Sequence, residues 1–186
     1  MSDKNTAEAG VDPRADKGAI EEAGRLGRAI NAGGLIFAIG ILCAAAILIN
    51  EVFLRYVFNA PTIWAHETTI FICGLAFIYG GLYCAARDQH IRVVLIYDFV
   101  PPRVRRALDI VISLANAAAA GMFAWAAWSM VQRALFRPDG TVWIERSGSA
   151  WDPVYPGFLK VALFVVMIAL CLQFLILALN YARGRK

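Results

Sequence analysis

Charged side chains are absent from four stretches of this chain, 29–50, 68–86, 110–132 and 161–182, each 19 to 23 residues long. A hydrocarbon core about 30 Å thick takes about 20 apolar residues of helix to cross. The pattern therefore predicts an all-α integral membrane protein with four transmembrane helices, spanning about 31–50, 65–86, 108–131 and 155–181. It excludes a soluble globular domain, and it excludes a membrane β-barrel, whose short strands alternate apolar with polar residues. One membrane domain is expected over 29–183, with a short end at 184–186. Residues 1–28 mix acids and bases with Gly and Ala and hold few large apolar side chains. Such a segment buries too little surface to offset its ordering entropy, so a disordered tail is expected there.

The flanks of these spans carry local signals. Glu51, Arg55 and Asn59 recur every four residues beyond the first span, a polar stripe that predicts helix 1 running on into the membrane interface. Ala60-Pro61 is expected to end it. Thr62 is placed as the cap of helix 2, with Glu67 near the positive end of its dipole. Helix 2 holds the small-residue spacings Ala76/Gly80 and Gly81/Ala85, which allow close approach of another helix. Between helices 2 and 3, residues 91–100 form an apolar run too short to cross, with charges on both flanks. An interfacial segment is expected there, broken at Pro101-Pro102. Helix 3 offers the run 117–120 and Gly121 for tight packing. The loop after it holds Pro138-Asp139-Gly140 and Ser147-Gly148-Ser149, which are turn sequences.

The net charge is +4, with 18 basic residues, and its distribution matters more than its sum. With four spans, thirteen Lys and Arg fall on the side of the two termini and the loop between helices 2 and 3. Five fall on the other: Arg55, Arg133, Arg137, Arg146 and Lys160. The positive-inside rule puts both termini in the cytoplasm. All five tryptophans, including Trp143 and Trp151, then lie at or near the outer face, where an amphipathic ring suits the headgroup level. The first span is expected to be retained as its own insertion signal. Arg103, Arg105 and Arg106 are positioned to meet anionic lipid or an acidic edge of a partner, or to serve only as topology determinants.

Candidate chemistry is sparse. The four cysteines sit in apolar runs without metal-ligand spacing and read as small hydrophobes. Asp109 and Lys160 lie near helix ends, where the long lysine stem reaches the interface. Asn116 and Gln173 are the strongly polar side chains at depth, suited to hydrogen bonds between helices. His66 and His90 stand 24 residues apart, about 36 Å along a helix, too far to share one haem iron. No metal, cofactor, catalytic triad or nucleic-acid footprint is expected, and no ion site of the kind a self-sufficient transporter needs at the midplane.

Three motifs at the helix ends resemble a known family. Arg55-Tyr56-Val57-Phe58-Asn59 is followed by Trp64-Ala65-His66-Glu67, and later by His90-Ile91-Arg92-Val93 with Val100-Pro101 and a basic cluster. In this order they are similar to the small membrane subunit (DctQ-like) of tripartite ATP-independent periplasmic, or TRAP, transporters. The resemblance covers residues 29–106 well and returns at Tyr155-Pro156. The chain departs from it at Val94, where the family often has an acid, and reaches Asp98 only later. The resemblance implies a bacterial inner-membrane permease subunit that is not an enzyme and binds no solute. It further implies a large membrane subunit carrying the substrate and sodium sites as a stable partner, and a periplasmic protein that captures the solute. Candidate structural or partner-contact residues are Glu51, Arg55, Asn59, Trp64, Glu67, Gly80, Gly81, His90 and Arg92. Arg55 and Glu67 are expected to pair across the corner between helices 1 and 2, or else to stand apart as a solvated arginine and a dipole-favoured carboxylate. The competing reading is a four-helix anchor or assembly subunit of another complex, such as a respiratory enzyme.

Overall fold

The computed structural model describes residues 23–87 and 101–183, the side chains of Pro102 and Arg103 excepted. Four helices account for nearly all of it: α1 (Gly24–Tyr56), α2 (Ala65–Ala86), α3 (Pro102–Leu135) and α4 (Tyr155–Arg183). Each is long and apolar enough to cross a membrane. The expected four-helix membrane architecture is the one observed. His90, Arg92 and the expected interfacial segment 91–100 lie outside the described residues, as do 1–22 and 184–186.

Two helices are longer than the charge-free runs suggest. At 33 and 34 residues, α1 and α3 measure about 50 Å, well beyond the hydrocarbon thickness. α1 starts at Gly24 rather than near Asn31, because its first residues are packed. Ala23, Gly27 and Ile30 are buried, and Ala23 joins Ala85, Ala117, Phe174 and Leu177 in one core cluster.

The helices form two hairpins, α1–α2 and α3–α4, which meet through α2 and α4. Both hairpin loops lie at one end of the bundle, and the start of α1 and the end of α4 at the other. The most extensive contact is α3 on α4, and its origin is a repeat in the sequence. Ser113, Ala117, Ala120, Ala124, Ala127, Val131 and Ala134 are all buried, at alternating steps of four and three. That is a heptad seam made of small side chains, which brings two backbones close without a large apolar core. Between α1 and α2 the fit is of another kind. A Cβ at Gly33 or Gly34 would strike the rings of Tyr79 and Tyr83, so these two glycines admit the tyrosines. Tyr79 then stacks on Phe37 at 4.1 Å between centroids and donates its hydroxyl proton to the Ile30 carbonyl.

Candidate functional site

At the loop end, the turn joining α1 to α2 is organised by one carboxylate. α1 stops at Tyr56, Asn59 takes a left-handed backbone (φ 51°), and the Ala60 N–H returns to the Leu54 carbonyl. Asparagine tolerates that conformation better than most residues. Asn59 is thus a reversal residue, and the polar stripe expected to continue helix 1 ends one turn early. Glu51 is 8% exposed and receives three groups. Arg55 approaches at 2.9 Å from the next helical turn, and Thr62 gives both its backbone N–H, at 3.1 Å, and its hydroxyl. Charge-assisted bonds of this kind are roughly twice as strong as neutral ones.

Two expectations are corrected here. Thr62 does not cap α2; the helix begins at Ala65 with Trp64 at its N-cap and no side-chain cap bond. Arg55 pairs with Glu51, not Glu67, because Glu51 lies four residues away on the same helical face. Glu67 keeps its place in the first turn of α2, but one of its carboxylate oxygens is buried without a hydrogen-bond partner among the described residues. Beside it is an apolar-walled cavity of about 370 Å³ lined by His66, Phe71, Ser147 and Tyr155, among others. Tyr155 stacks on Phe71 at 4.3 Å, and Trp151 meets it edge-on at 5.4 Å.

The longer loop, residues 136–154, is folded on itself. Phe136 and Val142 form an antiparallel bridge around the Pro138-Asp139-Gly140 turn, and the Trp143 and Glu145 N–H groups return to the end of α3. The Asp139 carboxylate accepts two bonds from Thr141, which hold its carboxyl below the usual aspartate range. The Gly148 N–H and Arg146 do the same for Asp152. Trp143 lies under Arg137, 4.1 Å from guanidinium carbon to ring centroid. Lys160 on α4 does not simply reach for the interface but pairs with Glu145 of the loop. Gly157 makes that docking possible: a Cβ there would lie 2.9 Å from Ile144 Cγ2 and 3.2 Å from the Glu145 carbonyl.

The other end is tied as well. Gln173 is fully buried and donates from Nε2 to the Ala23 carbonyl at 3.3 Å, so its partner is the start of α1 rather than a side chain at mid-span. Arg106 is turned to the end of α4, bonding the Tyr181 and Ala182 carbonyls at 2.6 and 3.1 Å. Arg105 is exposed, and the side chain of Arg103 lies outside the described residues.

The small-residue spacings of α2 are only half used among the described residues: Ala76 and Ala85 are buried, but Gly80 and Gly81 meet no neighbour. Among the described residues nothing lies within 4 Å of a Cβ placed at Gly80 or Gly81. Gly81 lies on the same open stripe as Ile70, Cys73 and Phe77, the last of these 86% exposed. α1 is barer still, with Leu35, Ile36 and Leu42 each about 70% exposed. Among the described residues no three His, Cys, Asp or Glu side chains stand close enough to hold a metal ion. All four cysteines are free, and Cys43 and Cys73 face outward rather than into a core.

The sequence profile described as "Tripartite ATP-independent periplasmic transporters, DctQ component" matches residues 44–184. The chain belongs to the DctQ family. It is therefore a component of a tripartite transporter, the TRAP small permease, and a multi-pass membrane protein. No curated protein matches it. The matched region of this DctQ component holds the Glu51 turn, the unfilled Gly80-Gly81 face and the docked 136–154 loop together. Sequence reasoning missed Thr62 as a ligand of Glu51, the Glu145–Lys160 tie and the Gly33-Gly34 slot. Only the last left a sequence trace, an adjacent glycine pair inside a helical run.

Proposed function

We propose that this DctQ component braces the large transport subunit of an ion-gradient-driven uptake system and binds no solute itself. The single observation that carries the reading is where the polar groups are spent. Glu51, Thr62, Arg106, Glu145, Lys160 and Gln173 all fix helix ends or loops of this chain, and the middle of the α3–α4 interface is filled by the small-residue seam. A frame whose described residues gather no ion-binding cluster at the midplane suits a scaffold, while cargo binding falls to another component. The open Gly80-Gly81 face and bare α1 are the surfaces offered to the large subunit, which forms a stable heterodimer with this chain. Glycine permits close helix contact, and α1 widens the footprint of the pair in lipid. The periplasmic binding protein approaches from the loop end, both termini being cytoplasmic by the excess of basic residues beside them. The partners are these two proteins and the surrounding lipid, with no cofactor and no enzymatic step. His90 and Arg92 belong to the cytoplasmic connection in this reading, and Arg103 to the first turn of α3 beside it.

Deleting this chain from the cell tests the proposal. Solute uptake is expected to be lost while the periplasmic protein still captures its ligand. Normal uptake by the large subunit alone would refute the bracing role.

A further inference from the structure

Positive charge is scarce at the loop end of the bundle, and most of it is neutralised within the chain. Of its five basic side chains, Arg55 pairs with Glu51, Arg146 with Asp152 and Lys160 with Glu145. Arg133 and Arg137 remain, and neither has a carboxylate partner among the described residues. They line the same open recess, of about 440 Å³, together with Ser129, Gln132, Phe136 and Pro138. No acid lines it; Asp139, the nearest in sequence, turns its carboxylate to Thr141. Arg133, Arg137 and Gln132 thus line one recess where membrane proteins otherwise keep few cations.

The recess has an apolar continuation. Ser129, Gln132, Arg133 and Phe136 occupy one face of α3, and one and two turns toward the membrane centre that face carries Trp125 and Met122. These are 82% and 73% exposed. Trp143, stacked under Arg137, and the half-exposed Trp128 and Phe136 place the recess at headgroup level. A cationic cup above an uncovered apolar stripe matches a molecule with a phosphate at one end and hydrocarbon at the other.

We propose that the Arg133–Arg137 recess binds the phosphate of an anionic glycerophospholipid, whose acyl chain lies along Trp125 and Met122. Guanidinium forks suit phosphate oxygens, and a recess without an acid has nothing to receive the ammonium of a zwitterionic headgroup. The site selects net negative charge over headgroup size.

The test uses the full chain in non-ionic detergent, with retained lipid read by native mass spectrometry and protection read by thermal unfolding. The probes are phosphatidylglycerol, phosphatidylcholine of the same chain length, and inorganic phosphate. Phosphatidylglycerol should stay bound and raise the melting temperature, whereas the other two should do neither. The double variant Arg133→Gln/Arg137→Gln should lose about thirtyfold in phosphatidylglycerol retention, at about 1 kcal/mol for each of the two cations near lipid. Arg146→Gln removes one cation from the same end and should keep that retention. Equal retention by the double variant, equal protection by inorganic phosphate, or equal binding of phosphatidylcholine would each overturn the proposal. Should the double variant fail to fold, the wild-type chain decides: retention must weaken as salt rises, and salt-insensitive retention would contradict a phosphate site.

Discussion

The two hairpins of this protein solve one problem by different means. In α3–α4, small residues at heptad spacing form a continuous seam, and the connecting loop folds back on both helices through Gly157 and the Lys160–Glu145 pair. In α1–α2, the hairpin is fixed at its ends, by Glu51 at the turn and by Gln173 under the start of α1. Between those points the tyrosine–glycine fit covers only one side of α1. A hairpin packed along its length holds its own shape. One fastened at its ends leaves α1 with Leu35, Ile36 and Leu42 uncovered, and in the proposed bracing role that face is offered to the large subunit.

The comparison breaks first at Gly157. Gly157→Ala places a methyl group against the Glu145 backbone, which cannot swing aside as a side chain can. Thermal unfolding in detergent should show a loss of about 2 kcal/mol, the usual scale of overpacking, together with exposure of the 136–154 loop to protease. At the other hairpin, Glu51→Gln leaves Arg55 without its counter-ion and weakens both Thr62 bonds. The melting temperature should fall by less than for Gly157→Ala, with amide exchange at Thr62 rising several-fold.

Glu67 supplies the contrast within one sequence region. Its buried carboxylate oxygen has no hydrogen-bond partner among the described residues, so Glu67→Gln should leave stability within about 0.5 kcal/mol of the parent. A loss as large as that of Glu51→Gln would show that Glu67 is structural after all. The smallest effect is expected with acid. Asp139 and Asp152 have carboxyls held below the ordinary aspartate range by hydrogen bonds from Thr141 and Gly148. A depressed folded-state value contributes stability that is complete above the ordinary range and disappears as pH falls through it toward the lowered one. Tryptophan fluorescence from Trp143 and Trp151 should therefore change reversibly on strong acidification, with helix content kept and the α1–α2 packing undisturbed.

Much of this arrangement was legible in advance. The charge-free runs located all four helices, since burial in lipid leaves no room for unpaired charge. The heptad of alanines in α3 was visible as a small-residue run, though its alternating spacing says more than its composition. Helix ends were harder. The Glu51-Arg55-Asn59 spacing looked like three helical turns, but only two are helical, because the Ala60-Pro61 step and the left-handed Asn59 reverse the chain early. Of the two expectations for Arg55 and Glu67, pairing or standing apart, pairing fails for the same reason: Thr62, eleven residues from Glu51, helps bury the Glu51 carboxylate in the turn, where Arg55 meets it. The ties Glu145–Lys160 and Gln173–Ala23 cross 15 and 150 residues, and no local pattern announces contacts of that range.

The central claim is that the uncovered side of α1 belongs to the large permease subunit. It is tested most directly by placing single cysteines at Leu35 and Leu42 in a chain otherwise free of cysteine, and labelling them from the lipid phase. In the chain alone, both sites should react readily. In the complex with the large subunit, both should be protected at least several-fold, with Phe123→Cys on α3 still labelled. Equal labelling of Leu35→Cys and Leu42→Cys with and without the partner would contradict the account.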